Sequence, residues 1–74
     1  MTSLEMINFL ESKGFTIRRQ AGSHVLLKNP DYSSIVSIPT GLRGGLKPGM
    51  ALAIKKNVVE KGIITEKEFA SAFH

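Results

Sequence analysis
A chain of 74 residues predicts one domain, residues 1–74, with one small core; domains of this size bury only about 60% of the surface their unfolded chain exposes. The absence of cysteine excludes a disulfide framework and a thiolate metal site; without a basic, apolar leader or the roughly 18 apolar residues of a membrane span, the expected compartment is the cytoplasm. Ten Lys and Arg against six Asp and Glu leave a net charge of +4, which suits a polyanionic partner such as nucleic acid and equally serves solubility.

The first element opens at "TSLE". Thr2 can cap the amide of Glu5 while the Glu5 side chain reaches back, which is a capping box. Leu4, Met6, Ile7 and Leu10 recur at helical spacing, and Gly14 after Lys13 closes the helix. In "FTIRRQ", residues 15–20, Phe15 and Ile17 alternate with Thr16 and Arg18, the period of a strand. "QAGS" supplies a turn in which Gly22 can take positive φ. A second strand, "HVLLKN", runs to a turn at "NPDYS"; a third, "SIVSIP", is rich in β-branched residues and stops at Pro39. The glycine-rich "TGLRGGLKPG", residues 40–49, reads as a loop. Pro48 then suits the first turn of a second helix with an apolar stripe of Met50, Ala51, Ile54 and Val58, with Leu52 at its margin, ended by Gly62. "TEKE", residues 65–68, is another capping box and opens a short helix holding Phe69 and Phe73.

Two short connections make an antiparallel meander the economical sheet, and such a sheet must cover its apolar face. The helices are the available cover. The predicted fold is therefore α+β: an αβββα sandwich with a three-stranded antiparallel sheet, both helices on one face, and a short C-terminal helix. The other face stays open or meets a partner.

His24 follows the Gly-Ser turn, with Arg18 and Arg19 before it and Lys28 after it. Three readings compete for it. Its ring packs on the sheet and bonds a carbonyl; or it ligates a metal, for which the only second histidine is His74 and no carboxylate sits at ligand spacing; or it works as a general acid–base group near neutral pH. Strand pairing through "QAGS" brings an arginine near His24, and a base among fixed cations suits phosphate chemistry. A neutral imidazole can take the proton of an RNA 2′-hydroxyl, whose oxygen attacks the adjacent phosphorus while the cations stabilise the developing charge. Gly22 permits the turn and lets a phosphate approach, and Ser23 can bond a nearby amide or donate to that phosphate.

The leading helix ending "ESKGF", the basic residues before "GSH", the apolar second strand, the "NPD" turn, the "IVSIP" strand and the late "GIITEKEF" follow one another in this order. In these features the chain resembles the HicA family of toxin–antitoxin systems, small bacterial mRNA interferases. The resemblance implies a double-stranded-RNA-binding-like fold and ribosome-independent mRNA cleavage, with the histidine of "GSH", here His24, as the catalytic residue. It implies a HicB-type antitoxin covering the active site. No cofactor and no metal are expected. The free toxin is expected to be monomeric and to form a hetero-oligomer with its antitoxin. Many relatives carry a second histidine after the third strand's proline, where this chain has Thr40 and Gly41; Lys28, Arg43 or Lys47 are candidates for its role.

An RNA-backbone footprint would combine Arg18, Arg19, Lys28, Arg43 and Lys47, the last at a helix N-terminus that attracts anions. Lys55 and Lys56 could extend it, although an ordinary solvated helix face explains them as well. Tyr32 could stack on a base, but in "PDYSS" it reads more simply as a half-buried turn residue. A non-catalytic RNA-binding domain of the same fold, and an interaction protein using the open sheet face, remain rival functions.

Overall fold
The computed structural model describes residues 2–41 and 44–72. Arg43, Phe73 and His74, to which the sequence reading gave roles, lie outside the described residues.

Helix α1, Ser3–Ser12, starts in the expected capping box. The Glu5 amide donates to Thr2 Oγ1 at 3.1 Å, and the Thr2 amide donates to Glu5 Oε1 at 2.8 Å. It ends in a Schellman arrangement: Gly14, at φ +95°, turns the chain, its amide donates to Glu11 O, and the Phe15 amide donates to Leu10 O. This closure buries Phe15 beside Leu10. Met6, Ile7 and Leu10 form the buried stripe; Leu4 is 65% exposed and does not belong to it, because it starts the helix on the far side of that stripe.

Strands β1 (Thr16–Ala21), β2 (His24–Lys28) and β3 (Ile35–Pro39) form an antiparallel sheet in the order β1-β2-β3. Val25 and Leu27 of β2 and Val36 and Ile38 of β3 point to the covered face and are buried. Helix α2, Pro48–Val59, contributes Ile54 and Val58 to the same core. The chain reverses after it at Gly62, at φ +74°, and the Ile63 amide donates back to Val58 O. Helix α3, Glu66–Ala72, carries Phe69 into the core behind its own capping box between Thr65 and Glu68. Leu52 is 59% exposed, so the α2 stripe excludes it.

Helix α3 is tied back to α1. Phe69 meets Phe9 edge to face with ring centroids 5.9 Å apart, and Lys13 Nζ lies 5.8 Å from the Phe9 centroid. The Lys13 ammonium also bonds the Glu68 carboxylate. That bond, reinforced by the amide and hydroxyl of Thr65, brings the Glu68 carboxyl down from its usual 4.5 to about 2. Two polar residues are buried with the core, Asn29 and Ser34, and the Ser34 hydroxyl makes no hydrogen bond with the described residues. All this leaves one sheet face without helices.

Candidate nucleic-acid interface
The uncovered face has a charge pattern set by sequence alone. The strands carry Arg18, Arg19, His24 and Lys28, whereas all six acidic residues lie elsewhere: Glu5 and Glu11 in α1, Asp31 in a turn, and Glu60, Glu66 and Glu68 after β3. Fixed positive charge on an acid-free sheet attracts polyanions.

His24 is held at one end of this face. Gly22 and Ser23 form a two-residue hairpin turn closed by the Ala21–His24 pair. Positive φ occurs at Gly22 (+57°) and not at Ser23, which fits a type II′ turn. On its other side His24 pairs with Pro39. The Thr40 amide donates to Ser23 O at 2.6 Å, so the chain leaving β3 is tied to the turn, and Ser3 Oγ donates to Pro39 O at 2.5 Å, which ties the start of α1 to the same place. The backbone around His24 is thus fixed on three sides. Its ring is exposed and makes no hydrogen bond or ion pair with the described residues. A packed imidazole bonded to a carbonyl, the first sequence reading, is not what the fold provides.

The two arginines are distinguished by a β-bulge. Pairing runs Ile17–Leu27 and then Arg19–Leu26, leaving Arg18 as the extra residue. The bulge resets the alternation. Arg19 therefore lies opposite Leu26 on the open face, diagonal to His24, a spacing of about 7–8 Å between residues that is within reach of long side chains. Lys28 is also on this face but four residues along β2 from His24. At about 3.3 Å per residue that is roughly 13 Å. Of the cations expected around His24, Arg19 is its diagonal neighbour in the register and Lys28 lies at the opposite end of the strand.

Lys47 is the N-cap of α2, with extended backbone and no side-chain cap bond, and Pro48 follows it in the first turn. Met50, one turn later, shares a groove of about 300 Å³ with Pro39 and Ser37. The groove also takes in Ile35, Ile54 and Asn57, so it sets α2 along the β3 edge of the sheet. Lys55 does not join the cluster. Its ammonium lies 3.0 Å from Glu66 Oε1, and Lys55 and Lys56 line a hollow with Glu60 and Glu66. Among the described residues no group of three or more His, Cys, Asp or Glu is placed to hold a metal ion.

Sequence reasoning missed three features. The Ser3–Pro39 and Thr40–Ser23 bonds join positions far apart in the chain and leave no local signal. The bulge did leave one, since the paired arginines interrupt an otherwise regular alternation. Tyr32, read as half-buried, is 42% exposed. No helix among the described residues is long and apolar enough to cross a membrane.

Residues 4–58, more than half of the chain, match the family model described as the HicA toxin of bacterial toxin–antitoxin systems. The match takes in nearly all of α1, the whole sheet and almost all of α2, and so includes His24, Arg19, Lys28 and Lys47. No curated protein matches the chain.

Proposed function
The chain belongs to the HicA toxin family, and from that premise we propose that this toxin of a toxin–antitoxin system is an endoribonuclease that cleaves mRNA in the cytoplasm through His24. Residues 1–74 act in this reading as one domain. Its inhibitor is a HicB-type antitoxin that covers the open sheet face and forms a hetero-oligomer with a toxin that is monomeric when free.

One observation carries the reading. An exposed imidazole with no partner among the described residues stands at a rigid hairpin end, diagonal to Arg19, on a sheet whose strands carry no acid. An RNA strand laid on that face brings a ribose 2′-hydroxyl to the neutral imidazole. His24 takes the hydroxyl proton, O2′ attacks the adjacent phosphorus, and the P–O5′ bond breaks. The departing O5′ takes a proton from the imidazolium, which restores the neutral ring. The products are a 2′,3′-cyclic phosphate and a 5′-hydroxyl. Arg19 and Lys47 stabilise charge on the phosphoryl oxygens, and the Ser23 hydroxyl can donate to them. The open space at Gly22, where an added Cβ would meet nothing within 4 Å, leaves the phosphate a path to the turn. Arg18 and Lys28 contact neighbouring phosphates. Arg43 completes the proposed footprint from outside the described residues.

Cleavage of a short labelled RNA by wild type and His24→Ala, in the presence of EDTA, tests this. The variant should fold as the wild type does, since it loses an exposed ring without partners, and should cleave about 10²- to 10⁴-fold more slowly. A single 2′-deoxy substitution at the cleaved position should block the reaction. Equal cleavage by both proteins would remove His24 from the mechanism. RNA that is bound but left intact by wild type would instead mark a non-catalytic binding domain.

A further inference from the structure
A second feature of the open face lies at the far end of β2. Lys28, Pro30, Asp31, Tyr32, Ser33 and Ile35 line a surface hollow of about 270 Å³. Its size is near the lower bound of small-ligand clefts, about 300 Å³, and fits a single ring system. Tyr32 and Ile35 (58% exposed) are among the few large apolar side chains left in solvent, and both line this hollow.

The turn that presents them is rigid. Asn29 is buried beneath it; its Oδ1 accepts from the Asp31 amide at 3.0 Å, its carbonyl accepts from the Tyr32 amide at 3.2 Å, and its Nδ2 donates to Lys13 O. The Asp31 carboxylate, by contrast, makes no hydrogen bond or ion pair with the described residues. An aromatic face, an aliphatic side chain, a cation and a carboxylate unpaired among the described residues thus meet in one hollow at the Lys28 end of the sheet.

Resting on the RNA reading above, we propose that this hollow is a base-selecting subsite that receives a guanine of the same RNA strand, a few nucleotides from the cleaved phosphate. Single-stranded RNA is read by stacking splayed bases on aromatic rings and bonding their Watson–Crick edges, and the four-stranded sheet of RRM domains stacks two or three bases in this way. The roughly 13 Å between His24 and Lys28 lies within such a span. Tyr32 and Ile35 hold the base, and Lys28 pairs with its phosphate. The Asp31 carboxylate only accepts hydrogen bonds, and guanine alone offers it two adjacent N–H donors, N1–H and the N2 amino group.

Binding and cleavage together test this in the full chain. Fluorescence anisotropy with the His24→Ala protein compares short RNAs that contain guanine with the same RNAs carrying adenine in its place. Guanine-containing RNA should bind about 5- to 150-fold more tightly, and Asp31→Ala should erase that ratio. Tyr32→Ala should weaken binding by a similar factor, while Tyr32→Phe, which keeps the stacking ring, should bind as the parent does. In a His24 background, cleavage should concentrate at a constant offset from guanine and lose that preference in Asp31→Ala. RNA bound and cleaved without regard to guanine or Tyr32 overturns the subsite and leaves the ribonuclease standing. RNA neither bound nor cleaved overturns both.

Discussion

Replacing Asn29 with alanine should destabilise the protein out of proportion to the size of the change. The side chain is 3% exposed and joins the turn after β2 to the end of α1. Its removal takes away the 3.0 Å acceptor of the Asp31 amide, a part-buried bond whose loss costs about 0.5–1.5 kcal/mol. The 3.4 Å contact from Nδ2 to Lys13 O adds little. A domain of this length has a total stability of roughly 4–11 kcal/mol, at about 0.05–0.15 kcal/mol per residue. Such a loss is therefore a substantial fraction of the whole. It corresponds to a fall in melting temperature of roughly 2–12 °C, at about 4–8 °C per kcal/mol. Circular-dichroism melts and urea titrations of both proteins measure it. Ser34→Ala is the matched control. Ser34 is just as buried, but its hydroxyl has no partner among the described residues, so its removal should leave stability unchanged or raise it. If the two variants fall by the same amount, the Asn29 bonds contribute nothing beyond packing, and the rigid turn inferred from them is wrong.

Acid should weaken the tie between α1 and α3. The Glu68 carboxyl sits at about 2 when folded against 4.5 ordinarily, so its contribution is complete above pH 4.5 and disappears as pH falls toward 2; Glu68→Gln should flatten urea midpoints across that window. For RNA binding, the slope of log affinity against log salt should drop by about 0.7 in Arg19→Ala, one phosphate contact on a single strand, and stay the same in Lys55→Ala, whose lysine is paired with Glu66. Deleting Arg18 should leave the fold intact, because Ile17–Leu27, Arg19–Leu26 and Ala21–His24 already pair as they would in a regular strand; unfolding on a chemical-denaturation curve would show that the bulge itself is needed.

The fold was legible wherever a local rule coincided with the long-range one. Both capping boxes, Gly14 and Gly62 gave the helix limits, since the residues that satisfy the orphan amides and reverse the chain are sequence neighbours. Val25 and Leu27, and Val36 and Ile38, announced the buried face by alternating. Leu4 and Leu52 were misread because each fits helical spacing yet falls outside the narrow arc that faces the sheet; apolar residues on surfaces obey no rule that keeps them inside. At the site, the Gly-Ser turn fixed where His24 would be, but not what would surround it. Which arginine attends His24 depends on a one-residue bulge, and the separation of Lys28 depends on strand rise, so both needed a register that no single segment contains.

The same register explains why so small a chain can place charged groups on its sheet without weakening itself. Every strand residue in the core belongs to β2 or β3, and β1 is exposed along its whole length. Arg18 and Arg19 thus pay no desolvation cost. They also guard an edge strand whose free amides and carbonyls would otherwise invite pairing with another chain, a task that exposed charge and a bulge both perform. His24 and Lys28 sit on β2, the central strand, but on its outer side, where alternation separates them from Val25 and Leu27. Stability is drawn from one side of the sheet and charge is displayed on the other. Changes at His24, Arg19 or Lys28 should therefore alter binding and catalysis while leaving the core untouched, whereas changes at Leu27 or Ile38 should do the reverse.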